Sequence, residues 1–153
     1  ITGDSDMILL VEDNPDDAAL TLRALRKNGF TQEVLQATDG VEAMDILIGI
    51  GELRTSTFSD LPKLVLLDLK LPRKDGLTVL KEIRQNDLTR RVPVVILTSS
   101  RNESDLSSGY DCGANSFVRK PVDFTEFVDA IKTLATYWLA INEQPPGTRR
   151  GGS

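Results

Sequence analysis

The sequence predicts an α/β fold in which strands and helices alternate around a parallel sheet. Three short apolar runs carry this prediction because none of them alternates polar with apolar residues: residues 8–11, 64–67 and 94–97. Strands that are buried on both faces, as in a parallel sheet covered by helices, have this composition. Helix-like segments separate the runs, which indicates right-handed crossovers and helices on both faces of the sheet.

The first half of the chain contains two strand–helix units and one irregular segment. A helix is predicted to begin at Asn14, a good N-cap, and to end at Gly29. Residues 33–37 form a weaker predicted strand, and a second helix follows Gly40. Residues 49–60 are rich in Gly, Ser, Thr and charge, so we expect them to form an extended loop before the central strand.

The second half of the chain repeats the strand–helix pattern. A third helix is predicted after a turn at residues 72–76, and a fourth, weakly apolar helix begins at Asn102. A very short strand at residues 116–118 leads to Asp123, a predicted N-cap for a last helix over residues 124–140. The sequence therefore predicts a five-stranded sheet with five helices.

Length and composition are those of one globular domain. The chain has 153 residues, of which 40% are hydrophobic and 27% charged, and it can bury a substantial core. We expect a domain at residues 7–140, with flexible tails at 1–6 and 141–153 and no output domain. No apolar run approaches the ~18 residues of a membrane span, and the start does not resemble a secretory signal. The single cysteine fits a cytoplasmic location.

Charge and residue usage exclude several classes of function. The net charge of -5 argues against a dedicated nucleic-acid-binding protein. The chain has no histidine, so it lacks the commonest general base and the commonest zinc ligand. It also contains no glycine-rich phosphate loop and no nucleophile elbow.

Polar residues follow three of the predicted strands at the point where each strand ends. Glu12 and Asp13 follow the first, Asp68 follows the central strand, and Thr98 follows the next. Each acid alone also fits a helix cap or turn, but the carboxyl ends of parallel strands meet at one edge, where such folds bind ligands. Carboxylates gathered there need protons or a cation, and oxygen ligands favour Mg²⁺.

A hydroxyl and an ammonium group complete the predicted site. Thr98 can donate to an anion, and Lys120, just after the last strand, supplies a compact positive charge suited to phosphate. Cation, carboxylate, hydroxyl and ammonium around one point indicate phosphoryl transfer, in which the protein mainly positions groups and neutralises charge. A carboxylate can itself be the nucleophile and become an aspartyl phosphate.

These residues, in this order, resemble the receiver domain of two-component response regulators. The resemblance rests on Glu12-Asp13, on Asp68 within L-L-D-L-K-L-P-R-K-D-G, on Thr98-Ser99 and on Phe117-x-x-Lys120-Pro121. It implies a doubly wound, flavodoxin-like sheet of order 2-1-3-4-5. It also implies that Asp68 is the phosphoacceptor and that Mg²⁺ is bound by Glu12, Asp13, Asp68 and the backbone carbonyl of Lys70. Thr98 and Lys120 would bind the phosphoryl group, and Thr98 and Phe117 would be the switch residues. The resemblance further implies a cis Lys120–Pro121 bond.

Two further features resemble a subfamily, the stand-alone response regulators paired with phytochrome-type histidine kinases. They are the loop at residues 49–60 and the pair Trp138-Leu139. The resemblance implies a phosphorelay protein that receives its phosphoryl group from a sensor histidine kinase and acts on an unknown downstream protein. It would not be an enzyme beyond self-phosphorylation from a donor and slow autodephosphorylation.

Two alternatives are weighed against this function. A Mg²⁺-dependent hydrolase of the haloacid-dehalogenase type also forms an aspartyl phosphate, but it needs a second aspartate two residues after the nucleophile, where this chain has Lys70. A non-phosphorylated pseudo-receiver that only binds partners is disfavoured because every site residue is present.

The last predicted helix is apolar over an arc that is too wide to cover only its own sheet. Large exposed apolar surfaces usually mark interaction sites, and tryptophan is favoured at their centres. We therefore expect a two-fold symmetric homodimer through the face of the fourth and fifth helices, with contacts from Phe124, Val128, Trp138 and Leu139. The alternative is that Trp138 covers the core of a monomer.

Overall fold

The structure, a computed structural model, describes residues 7–53 and 61–143, and residues 50–53 by their backbone alone. The predicted tail at 1–6, most of the tail at 141–153 and part of the predicted loop lie outside these ranges. The strands are β1 (Ile8–Val11), β2 (Val34–Ala37), β3 (Leu64–Leu67), β4 (Val94–Thr98) and β5 (Ser116–Arg119). The helices are α1 (Pro15–Lys27), α2 (Gly40–Leu53), α3 (Gly76–Gln85), α4 (Glu103–Asp111) and α5 (Phe124–Thr136), which continues into a π-helical turn, Tyr137–Ile141.

The five strands form one parallel sheet in the order β2-β1-β3-β4-β5. The register aligns the ends of neighbouring strands, since Val11 lies opposite Ala37 on one side and Leu67 on the other. The strand order reverses at β1 and β3, and such a switch point opens a crevice outside the carboxyl ends of the strands. The predicted fold and strand order are confirmed.

The core has one layer on each face of the sheet because successive side chains of a strand point to opposite faces. Leu9 and Val11 pack with α2 and α3 on one face, whereas Ile8 and Leu10 pack with α1 and α5 on the other. The central strand β3 is buried along its whole length. Each fully buried leucine or isoleucine contributes about 1.5–3 kcal/mol to folding, so these layers supply most of the stability of the sheet.

The helix starts agree with the sequence. The Asn14 side chain accepts from the backbone N–H groups of Asp16 and Asp17, and the Asp123 side chain accepts from Thr125 and Glu126. One boundary was predicted wrongly, because α2 continues through Leu53 where a loop was expected from residue 49. Glycine costs a helix about 1 kcal/mol, but extending an existing helix is easier than starting one, so the glycines there do not end it. Within the described ranges, no helix combines the length and apolar character needed to cross a bilayer.

The wide apolar arc of α5 is covered by the chain itself. Val128 and Leu139 are each only 7% exposed and pack in the core layer shared with α1, to which Phe124 and Trp138 add partly buried contacts. The side chain of Asn28, at the end of α1, also donates to the carbonyl oxygen of Val128 at 2.9 Å. The arc is thus too wide for the sheet alone, as predicted, but α1 of the same chain covers it as well, so the arc by itself does not call for a second chain.

Candidate functional site

Backbone hydrogen bonds between strand ends bring the predicted site residues to one edge of the sheet. The N–H of Glu12 donates to Ala37 at 2.9 Å, and the N–H of Asp68 donates to the carbonyl oxygen of Val11 at 3.0 Å. The N–H of Lys120 donates to the carbonyl oxygen of Thr98 at 2.8 Å. The site is therefore built on the ends of adjacent strands, which hold it more rigidly than free loops would.

Three carboxylates lie together at the switch point, as the sequence predicted. Glu12, Asp13 and Asp68 each offer a carboxylate oxygen, and these atoms lie within 4.8 Å of one another. Glu12 is almost fully buried and Asp13 is exposed, so the cluster opens to solvent on one side. An all-oxygen ligand set with an open side fits a hard divalent cation that keeps some of its water ligands.

The chain segment after β3 forms one wall next to these acids. Asp13 and Lys70 line the same cavity, which has a volume of about 420 Å³. That the backbone carbonyl of Lys70 serves a cation held by the three carboxylates stays a prediction. The carboxylate of Asp68 is itself oriented, because its Oδ1 accepts from the N–H of Leu69 at 2.7 Å.

The ammonium group of Lys120 lies among the acids. Its Nζ is 2.7 Å from Oε1 of Glu12, 3.3 Å from Oδ2 of Asp17 and 3.9 Å from Oδ2 of Asp68. Burial alone lowers the pKa of Lys120, but Glu12 and the two aspartates outweigh it and raise that pKa above its ordinary value. The ammonium is therefore charged at neutral pH and available to an anion at Asp68.

The pKa of the buried carboxyl group of Glu12 is also shifted by its surroundings. Burial raises the pKa of Glu12 to about 7, although the hydrogen bond and the charge of Lys120 act against this. Glu12 also accepts from the N–H of Asn14 at 3.2 Å through its other oxygen. A cation in the cluster would favour the ionised form of Glu12.

Asp17 belongs to the site but was not predicted. It lies in the first turn of α1, where an acid interacts favourably with the helix dipole. The signal available in the sequence was its spacing from the N-cap Asn14, which places it in the turn facing the strand ends. Its contact with Lys120 joins residues 103 positions apart, which no local pattern reveals.

The two predicted switch residues lie on neighbouring strands. Thr98 is 1% exposed, and its Oγ1 accepts from the N–H of Ser100 at 3.3 Å. Phe117 of β5 lies opposite Ile96 of β4 and is partly buried against the core. A Cβ on Gly109 of α4 would lie 3.0 Å from the Phe117 ring, so this glycine makes room for the ring under the helix.

The prediction of a cis peptide bond between Lys120 and Pro121 is wrong for this structure. No cis peptide bond occurs in the described part of the chain. The trans form is favoured by about 0.5–1 kcal/mol even before proline, and the turn after β5 accommodates it.

Comparisons with known proteins agree with this site. Residues 8–132 match the family model described as the response regulator receiver domain. The chain is 38% identical over 133 residues to the response regulator Rcp1 of Synechocystis, covering 87% of the chain and 88% of Rcp1. It is 39% identical over 139 residues to the probable methanogenesis regulatory protein FilR2 of Methanothrix harundinacea, covering 91% of the chain and 87% of FilR2.

Solved structures show the same similarity. The crystal structure of the phosphorylated cyanobacterial phytochrome response regulator RcpA has a TM-score of 0.81 and 37% identity, covering 93% of the chain and 99% of RcpA. The Mn²⁺-bound form of Rcp1 has a TM-score of 0.79 and 36% identity, covering 92% of the chain and 99% of Rcp1. Proteins similar to this chain over nearly their whole length therefore include a phosphorylated form and a divalent metal complex.

Proposed function

Because the chain belongs to the response regulator receiver domain family, we propose that it accepts a phosphoryl group on Asp68 from a sensor histidine kinase. The observation that carries this proposal is the position of Asp68, between two further carboxylates and the ammonium of Lys120. The phosphoryl group would then change the protein contacts of the domain and so transmit the signal.

The geometry suggests what each side chain does in the transfer. An oxygen of Asp68 attacks phosphorus, so a P–O bond forms as the bond between phosphorus and the donor breaks. Lys120, 3.9 Å from Oδ2 of Asp68, is close enough to turn toward an oxygen of the arriving phosphoryl group. Thr98, at the end of β4, supplies a hydroxyl donor on the same edge.

The cofactor that fits the site is Mg²⁺. Glu12, Asp13, Asp68 and the backbone carbonyl of Lys70 would hold it, and the cation would neutralise charge on the transferring phosphoryl group. The Mn²⁺-bound form of Rcp1 supports a divalent cation in a similar protein. Mg²⁺ is our choice because it prefers a few carboxylates and keeps its remaining positions for water and phosphate oxygens.

The proposal is tested by incubating the protein with acetyl phosphate and Mg²⁺ and recording its intact mass. We expect a gain of one phosphoryl group, and peptide mapping is expected to locate that group on Asp68. The gain should disappear when a chelator removes Mg²⁺, since the carboxylate cluster then repels the incoming anion. Modification at another residue, or uptake that does not depend on a divalent cation, would contradict the proposal.

We further propose that Thr98 and Phe117 form the switch. The phosphoryl group adds acceptor oxygens that draw the Thr98 hydroxyl inward, and the Phe117 ring follows into the space this leaves. Thr98→Ala is expected to take up phosphate and yet show little conformational response. The measurement is NMR of the Phe117 ring before and after phosphorylation, and equal shifts in the variant and the parent would rule out this coupling.

The relatives suggest a partner, and the cysteine content suggests a location. RcpA is a phytochrome response regulator, so we propose a phytochrome-type histidine kinase as donor and a downstream protein of unknown identity as target. We propose that the phosphoryl transfer takes place in the cytoplasm, which the single cysteine supports.

Lys70 occupies the position where a haloacid-dehalogenase-type hydrolase needs its second aspartate, so the acid–base residue of that mechanism is missing there. Self-phosphorylation from a small donor and slow loss of the phosphoryl group are the only reactions we propose.

The homodimer through the α4–α5 face also stays a prediction. Val128 and Leu139 are buried, so the contact would use exposed aromatic surface, which Tyr110 on α4 and Tyr137 after α5 provide. Trp138, whose ring meets that of Tyr137 at a centroid distance of 5.0 Å, would hold Tyr137 in place. Sedimentation of the parent and Trp138→Ala at matched micromolar concentrations is expected to show a dimer that weakens in the variant. A monomeric parent would refute the dimer, and an unchanged dimer in the variant would refute the role of Trp138.

A further inference from the structure

The loop at residues 69–75 connects the phosphoacceptor strand to α3 and carries the carbonyl of Lys70. Its two ends are fixed close together, because the N–H of Gly76 donates to the carbonyl oxygen of Leu69 at 2.9 Å. Gly76 also packs so tightly on Asp68 that a Cβ there would overlap the Asp68 backbone. With both ends fixed, the conformation of the loop depends on what holds its tip, around Arg73.

Arg73 has an unusual backbone conformation at this tip. Its φ of 64° lies in the left-handed region, and it is the one residue other than glycine with positive φ in the described part of the chain. This conformation costs energy for a residue with a Cβ, and such outliers persist where surrounding contacts compensate. The tip is therefore held in place by something other than its own backbone preference.

Besides the bond from the N–H of Lys74 to the carbonyl oxygen of Pro72 at 2.7 Å, which spans Arg73, the tip is held by a two-pronged hydrogen bond from Arg73 to Asp39, in the turn between β2 and α2. Nε and Nη2 of Arg73 lie 2.9 and 2.7 Å from Oδ2 of Asp39. Asp39 is well anchored, since its side chain is 14% exposed and its Oδ1 accepts from the N–H of Glu42 at 2.8 Å. Beside it, Gly40 is packed against Lys74, whose carbonyl oxygen a Cβ at Gly40 would overlap.

We propose that Arg73 is a positioning residue for the cation site. By holding the loop tip against Asp39, it fixes the loop so that the carbonyl of Lys70 faces the cation. The cavity of about 420 Å³ supports this, because Asp13 lines it together with Lys70, Leu71 and Pro72 of the same loop. The inference rests on the proposed function, since it assumes that the three carboxylates bind Mg²⁺.

The sign of the effect separates positioning from simple electrostatics. Arg73 is positively charged, so removing it lowers the electrostatic repulsion of a cation and by itself raises affinity for Mg²⁺. Loss of positioning has the opposite effect, because a supporting residue that orients a ligand typically contributes about 10–100-fold to metal affinity. A weaker affinity after removal of a positive charge can therefore not be an effect of charge alone.

The test is Arg73→Gly, titrated with Mg²⁺ by calorimetry beside the parent and Lys81→Gln. Glycine adopts a φ of 64° without strain, so we expect the fold and the unfolding temperature to stay close to those of the parent. We expect Arg73→Gly to lose affinity for Mg²⁺ about tenfold. Lys81→Gln removes a positive charge from an exposed position on α3. We expect this variant to keep the affinity of the parent for Mg²⁺ or to raise it slightly. In an Asp39→Ala background, Arg73→Gly should cause no further loss of affinity for Mg²⁺, because the contact is already lost and only the effect of the charge remains.

The outcomes are distinct. Equal or tighter binding in Arg73→Gly overturns the inference while leaving the proposed function intact. A full tenfold loss that persists in the Asp39→Ala background also overturns it, because Arg73 would then act without Asp39. A parent that binds no Mg²⁺ overturns the proposed cation site and this inference together. If Arg73→Gly does not fold, Arg73→Asn, which tolerates the same φ, serves instead with the same expected loss.

Discussion

Asp68→Asn is expected to take up no phosphoryl group from acetyl phosphate and Mg²⁺, a complete loss in an intact-mass experiment. An amide is a poor nucleophile, and the neighbouring Glu12 is not placed to replace Asp68. Glu12 is buried, with one oxygen bonded to Lys120 and the other to the N–H of Asn14. The bond from the N–H of Leu69 to Oδ1 can still form to the amide oxygen of asparagine, so the fold should be preserved.

Asp16→Asn provides the matched control for this substitution. It makes the same change of charge in the exposed first turn of α1, where the side chain is not part of the carboxylate cluster. We expect Asp16→Asn to take up one phosphoryl group as the parent does. Phosphorylation of Asp68→Asn at the rate of the parent would show that the acceptor is a different residue.

Arg84→Ala is expected to cause a large loss of stability. Its guanidinium donates to the carbonyl oxygens of Gly113, Arg90 and Val92 and to the side-chain oxygen of Asn115, at 2.7 to 3.1 Å. Burial lowers the pKa of Arg84, as expected for a cation whose acceptors are uncharged oxygens.

The size of that loss follows from the hydrogen bonds. Bonds to charged groups contribute about 1.5–3 kcal/mol each, and water can replace some of them, so we expect about 3 kcal/mol. In a domain of this length the unfolding temperature would fall by about 6–12 °C, as calorimetry can measure.

Two further variants test the role of the Arg84 guanidinium. Arg84→Lys, which can reach fewer of the same oxygens, should recover part of the loss. Arg90→Ala, which removes an exposed arginine side chain but keeps the carbonyl that Arg84 bonds, should stay close to the parent. A loss below about 1 kcal/mol in Arg84→Ala would mean that water satisfies these carbonyls and that the network is not structural.

The sequence predicted the sheet and the edge that carries the site because both depend on local patterns. A strand covered on both faces has to be apolar throughout, which made Leu64–Leu67 recognisable. Parallel strands end at the same edge, so the acids after β1 and β3 had to lie near each other. The three-carboxylate cluster was therefore predictable without knowing how the helices pack.

The remaining features depend on contacts between distant segments. The bond between Arg73 and Asp39 joins residues 34 positions apart, and neither has an unusual sequence neighbourhood. The coverage of α5 by α1 was missed for the same reason. The apolar arc of a helix gives the width of surface that is buried, but it does not tell whether the partner is the same chain or another.

The pairing of Glu12 with Lys120 has a consequence for how the protein is made. These residues are 108 positions apart, so the site cannot be complete until nearly the whole domain has left the ribosome. The central strands β1 and β3 can pair before that, but β5, which Lys120 follows, is an edge strand and the last of the described strands in chain order. The proposed phosphoryl-accepting site is thus completed only once β5 has been made, and a chain that stops before β5 carries Asp68 without the lysine that pairs with its neighbour Glu12.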